Sequence, residues 1–275
     1  MTESMRRKID MIKEELTSRG YALEERKMIK NGIKRYALVL NTQSNVKPCI
    51  YIDKIIIDAE EKEMLFADIV DEVEQIIRRK MYIADFDVET VINREYILDN
   101  STIRIQRKSD QDIIKRDGEF DNTEYYATIN LKFNGEKSSI KITSDMLLMA
   151  KITEEELWEC ALKNTKKETV LMSMSEALGI PKEMLGESMM WVLSNKNRHG
   201  GASAILNKEI IRELSKRLGV EKFAVIPSSI HEVLLLPNPT EDMEIEKMVE
   251  EVNTECVDPE DILSNKPIYL KFMEV

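Results

Sequence analysis

YALEERKMI (residues 21–29) and IKRYALVL (residues 33–40) are separated by Lys30 and the dipeptide Asn31-Gly32. Asn-Gly between two runs rich in apolar residues is the strongest short-range hairpin signal. The two-residue turn it forms needs positive φ at both central positions and matches the twist of the flanking strands. The pair is therefore expected to be antiparallel, and the chain reads as α+β rather than as a doubly wound parallel sheet. EYYATINLKF and SSIKITS repeat the signal around Asn134-Gly135.

Working outward, Met5, Ile9, Ile12 and Leu16 recur at helical spacing ahead of Gly20, which predicts an amphipathic helix over residues 2–19 closed by a left-handed residue. PCIYIDKIII predicts a third strand. Met64, Leu65, Ile69, Val73, Ile76 and Ile77 predict one long helix from Glu60 to Lys80. REYILDNSTIRIQ reads as partly extended, and a lobe boundary is expected at 118/119, giving lobes of residues 1–118 and 119–275. In the second lobe, Thr153 and Glu156 fit a capping box ahead of a helix. MMWVLSN and ASAIL predict a hairpin around KNRHGG, and Asn207 and Gly219 bracket a helix carrying Ile210, Ile211, Leu214 and Leu218. FAVIP and EVLLLP read as buried strands, Thr240 opens another helix, Asp258-Pro259 caps a further one, and PIYLKF closes the chain as a strand. The expectation is two lobes of largely antiparallel sheet with covering helices.

The 275 residues, 43% hydrophobic and 33% charged, are enough to bury a substantial core despite a net charge of −11. No apolar run approaches the roughly 18 residues of a membrane span. MTESMRRKID starts a charged helix, so a cytoplasmic protein away from membranes is expected. The three cysteines, Cys49, Cys160 and Cys256, lie far apart, and the two histidines, His199 and His231, belong to no HExxH or HxH arrangement. No metal or other cofactor is expected from such a ligand set. The 16 methionines are read as adaptable core filling.

Charge is uneven. Residues 1–50 carry 11 Lys/Arg against 6 Asp/Glu, and residues 231–275 carry 3 against 12. Glu241, Asp242, Glu244, Glu246, Glu250 and Glu251 form the acidic surface expected to meet a basic protein partner. Imitation of nucleic acid is a sharper form of the same idea. A pI near 5.0 argues against direct nucleic-acid binding, because phosphate contacts dominate that affinity. Aromatic residues, at 6%, supply no evident stacking platform.

FAVIPSSIHEVLLLP (residues 223–237) sets Ser228, Ser229 and His231 between two apolar runs. A serine hydrolase needs a hydroxyl within reach of an imidazole that a carboxylate orients. Extended backbone would put Ser229 and His231 on one face and Glu232 on the other, and no GxSxG elbow is present. A polar corner, its hydroxyls and ring satisfying backbone groups, is the favoured reading; hydrolysis by Ser228 or Ser229 with His231 is the alternative. Arg198-His199-Gly200-Gly201 lets backbone approach an anion closely, yet lacks the spacing of a phosphate-binding loop, so a plain hairpin loop is expected there.

VLSN, GGASAILN, FAVIPSSIHEVLLLP, MVEEVNTECVDPEDILS and PIYLKF together resemble a bacterial family of unknown function found in anaerobic gut bacteria and their mobile elements. The resemblance covers residues 120–275 well and the remainder more loosely. Its recurring positions map onto Asn195, Gly201, Ala202, Pro227 to Val233 and Asn253, while His199 falls at a variable one. It implies an accessory protein that binds a macromolecular partner, such as a host or defence-system component, with Asn195, Gly201 and Asn253 among its binding residues.

Overall fold

The computed structural model describes residues 2–81, 85–133, 135–181, 190–240 and 244–272. The fold is α+β, built from three antiparallel sheets and covering helices. The chain divides into two compact units, residues 1–88 with 133–136, and residues 89–132 with 137–275.

In the first unit, α1 (Glu3–Ser18) precedes the hairpin of β1 (Leu23–Lys30) and β2 (Ile33–Leu40). Lys30 pairs with Ile33, and Asn31 and Gly32 take φ of 45° and 74°, as the two-residue turn requires. The expected third strand is shorter than its β-branched run suggested: β3 (Cys49–Tyr51) pairs with Ala37 to Val39, and α2 (Ile52–Glu61) begins at once. Ile52, Ile56 and Ala59 are buried at helical spacing, so packing overrides strand propensity here. The single helix expected from Glu60 to Lys80 is also corrected. Glu63 turns left-handed at φ 52°, Met64 N–H closes onto the Ala59 carbonyl at 2.9 Å, and α3 (Phe66–Lys80) starts anew. Ile9, Ile12 and Leu16 of α1 are fully buried against α2, α3 and the sheet, each side chain contributing roughly 1.5–3 kcal/mol.

The second unit holds α4 (Arg94–Asn100) running directly into β4 (Ser101–Arg107), then β5 (Lys115–Asp117), β6 (Thr123–Phe133) and β7 (Glu136–Lys141). β4 and β5 both pair with β6, so the expected 118/119 division falls inside one sheet, while the compact units part after Val88. After α5 (Ser144–Ala150), α6 (Glu154–Glu168) packs on β4, with Thr153 Oγ1 accepting from Glu156 N–H at 3.2 Å.

A five-stranded sheet follows in the order β12-β10-β11-β9-β8, all antiparallel. Its strands are β8 (Thr169–Ser173), β9 (Trp191–Asn195), β10 (Lys222–Ile226), β11 (Val233–Pro237) and β12 (Ile268–Lys271). β8 comes from the segment read only as methionine-rich filling. The hairpin expected around KNRHGG does not form. Both edges of β9 are taken by β8 and β11, so Ala202–Leu206 becomes a buried 3-10 helix. Between β8 and β9 lies α7 (Met174–Leu178). α8 (Lys208–Leu218) ends at Gly219 (φ 64°), and α9 (Ile245–Cys256) carries the acidic segment. Asp258-Pro259 opens a turn and no helix, its carboxylate accepting from Glu260 N–H at 3.0 Å. Asn134, Glu241 and Asp242 lie outside the described residues. No helix among those described is long and apolar enough to cross a membrane.

Candidate functional site

His231 sits in the corner between β10 and β11, where its ring and backbone hold two loops together. Nδ1 accepts from Gly200 N–H at 3.0 Å, so the ring proton lies on Nε2, which faces Asp261 Oδ2 at 3.4 Å. The His231 carbonyl accepts from Ser194 Oγ at 2.7 Å and Gly201 N–H at 3.0 Å, and its own N–H donates to Ser229 Oγ at 3.0 Å. Its ring stacks on His199 at 4.7 Å. Among the described residues no hydrogen bond joins either ring nitrogen to a hydroxyl: Nδ1 is taken by backbone and Nε2 faces a carboxylate. Ser229 is buried and Ser228 is half-buried.

The glycine loop is equally occupied. Asn195 Oδ1 accepts from Asn197 and His199 N–H at 3.1 and 3.3 Å, and its Nδ2 donates to the His199 carbonyl at 2.9 Å. Arg198 turns away, donating to the Ala177 carbonyl at 2.9 Å. The amides that could have cradled an anion are therefore used internally. Gly201 has no room for a side chain: a Cβ would lie 2.5 Å from Ser194 Oγ and 2.6 Å from Asn195 N. Asn253 is buried and donates to Asn265 Oδ1 at 2.8 Å, apart from this corner.

The larger feature is one the sequence analysis did not find. Strand alternation gives the four-stranded sheet two unlike faces. Ile103, Ile105, Ala127 and Ile129 are buried on one face. The other pairs Thr102 with Thr128, Arg104 with Tyr126, and Gln106 with Glu124. Buried Glu124 accepts from Gln106 Nε2 at 2.8 Å and Ser109 Oγ at 3.0 Å, and faces Lys115 at 3.7 Å. Lys141 donates to Gln106 Oε1 at 2.8 Å and Gln111 Oε1 at 2.5 Å; burial lowers its amine to about 8, with Glu124 working against the shift.

One end of this polar face, Thr102, Arg104 and Asn130, opens into a cleft of 1260 Å³ within the second unit, shared with the loop after β9 and the end of α6. Five cations line it, Arg104, Lys132, Lys137, Lys167 and Lys196, against two acids, Asp99 and Glu168. None of the five pairs with a carboxylate among the described residues. Lys137 bonds to Asn197 instead. Arg104 packs against the glycine loop. Its guanidinium lies across Gly200, where a Cβ would sit 3.0 Å from Nη1, and it reaches Asn130 Oδ1 at 3.5 Å. Tyr96 and His199 add two rings to the lining. The net charge of −11 is an average this cleft does not share. Polar residues alternating along TIRIQ and EYYATIN were its one sequence signal, while each lysine alone reads as an ordinary surface residue.

Of the acidic residues expected to meet a partner, Glu244, Glu246, Glu250 and Glu251 are exposed at or on α9. Met248 and Val252, one turn apart, are 58% and 54% exposed between them. No group of His, Cys, Asp and Glu suited to a metal ion occurs among the described residues.

The profile of a family of unknown function (DUF5688) matches residues 3–271. Neither the curated proteins nor the solved structures gave a match.

Proposed function

The chain belongs to the DUF5688 family, and on the geometry of its own residues we propose that it acts by binding a macromolecular polyanion in the cleft of the second unit, without chemistry at the His231 corner. The observation that carries this is the set of five cations lining one cleft without carboxylate partners among the described residues. Cations that line one cleft without carboxylate partners among the described residues repel, and an arriving anion removes that cost while releasing counterions. At 1260 Å³ the cleft exceeds the roughly 300–1,000 Å³ that encloses a small molecule, which favours a segment of polymer. The bacterial, cytoplasmic accessory role implied by the resemblance is the setting we propose for it. The test is retention on immobilised heparin. Arg104→Met should elute at clearly lower salt than the wild type, and unchanged elution would remove the cleft from consideration.

A second reading is favoured by α9, whose exposed Met248 and Val252 lie among carboxylates. That face suits a basic, amphipathic protein segment, the apolar pair giving contact and the acids giving steering. A synthetic Lys/Leu helix should bind the wild type and lose affinity to Glu246→Lys/Glu250→Lys/Glu251→Lys, with a flatter salt dependence. Equal binding by both proteins would reject this surface.

A further inference from the structure

We propose that the cleft of the second unit binds single-stranded nucleic acid, with Arg104 as the fixed anchor for its phosphodiester backbone. This rests on the polyanion reading above and names the polymer.

The five cations line a cleft of 1260 Å³, far more room than one phosphate group fills, and they enter it from separate elements. Arg104 comes from β4, Lys132 and Lys137 from the two sides of the β6–β7 turn, Lys167 from the last turn of α6, and Lys196 from the loop after β9. A terminal phosphate or phosphorylated side chain is held by two or three donors closing on one point. Positive charge distributed along a groove is instead what tracks a chain that carries one charge per repeat. Two rings line the same groove: Tyr96 of α4 and His199 of the glycine loop. His199 is exposed and lies 4.7 Å from the His231 ring, tilted by 37°. Base stacking on such rings tolerates any base and needs bases that are not paired.

Arg104 differs from the lysines in bringing a planar guanidinium to the cleft. It is half-buried, packs against Gly200, and reaches Asn130 Oδ1 at 3.5 Å. A preorganised guanidinium offers two parallel donors to a phosphate with little loss of side-chain freedom. The Gly200 conformation, φ 61°, is held by the His231 bond, so the histidine corner positions the platform on which the anchor rests.

Fluorescence anisotropy with 5′-fluorescein-labelled dT12 and rU12, with a labelled duplex of the same length and with heparin as competitor, tests the proposal. Both single strands should bind, and contact with three or four phosphates predicts a loss of roughly 15- to 50-fold between 50 and 200 mM salt. Arg104→Met should weaken binding by about tenfold or more. Lys167→Ala/Lys196→Ala, two exposed positions whose loss leaves the fold intact, should also weaken it, and Lys271→Met on β12 should not. Binding of heparin that depends on Arg104, with no binding of either oligonucleotide, would overturn the nucleic-acid assignment and leave the polyanion cleft standing. Failure of every probe, or binding that Arg104→Met and the double variant leave unchanged, would overturn both. Equal or tighter binding of the duplex would overturn the single-strand assignment.

Discussion

The Gly200 amide donates to Nδ1 of His231 at 3.0 Å, and this one bond sets the ring tautomer, the path of the glycine loop and the bed on which Arg104 lies. The histidine that the sequence reading set in a polar corner, with hydrolysis as the alternative, is bonded on one nitrogen to backbone and faces a carboxylate with the other.

That arrangement predicts silence towards hydroxyl-directed reagents. A fluorophosphonate probe should label neither Ser228 nor Ser229, and His231→Ala should instead lower stability by about 1–3 kcal/mol, because the buried Gly200 amide loses its acceptor. Labelling that disappears in Ser228→Ala or Ser229→Ala would restore the hydrolase reading.

Three glycines predict a graded series. Gly219→Ala meets nothing within 4 Å and bears only its left-handed backbone, at a cost of about 1–2 kcal/mol. Gly200→Ala adds pressure on Arg104 and should reduce polyanion binding as well as stability. Gly201→Ala forces a methyl against two backbone atoms and the Ser194 hydroxyl, and should be the most destabilising of the three, beyond the roughly 1–3 kcal/mol of ordinary overpacking. Denaturant midpoints in any other order would contradict this packing.

In the first unit, Glu74 accepts from Arg78 at 2.7 Å, Arg19 at 2.6 Å and Tyr21 at 2.9 Å, and these bonds, Arg78 first, hold its carboxyl at about 2. The native value lies below the unfolded one, so the unfolded chain binds more protons between them. The stabilisation is complete above about pH 4.5 and is lost as pH falls towards 2. Thermal melts of Glu74→Gln should therefore differ from wild type at pH 6 and converge with it towards pH 2. A gap independent of pH would show that the carboxylate is not the source.

Lys141 gives a dependence of the same sign at higher pH, but here what changes is a cost and not a stabilisation. Burial lowers its native value to about 8 from 10.5, so the cost of holding it charged is present below 8 and is relieved as pH rises to 10.5. Relative to Lys141→Met, the wild type should gain stability between pH 7.5 and 10 in matched melts. A constant difference would place the amine in a wetter setting than its two glutamine partners imply.

Much of the fold was legible in short stretches. Asn31-Gly32 specified its turn because both residues tolerate positive φ, and Thr153 and Gly219 marked helix ends through bonds made within one turn of chain. Where β-branched propensity competed with packing, as at Ile52 and Ile56, or where ASAIL found no free strand edge, local reading failed because distant partners decided the outcome. The His231 corner was recognised as polar and angular, yet its partner Gly200 could not be read from the sequence.

The amino-acid sequence by itself determined the Asn31-Gly32 hairpin, the Thr153 cap, the Gly219 helix end and the alternation along the strands, since each depends on atoms a few residues apart. Only the tertiary structure decided that Arg104, Lys137, Lys167 and Lys196 line one cleft. Coulomb interaction depends on separation in space, and separation in space between residues of β4, β7, α6 and the loop after β9 is set by strand pairing and helix packing rather than by chain order.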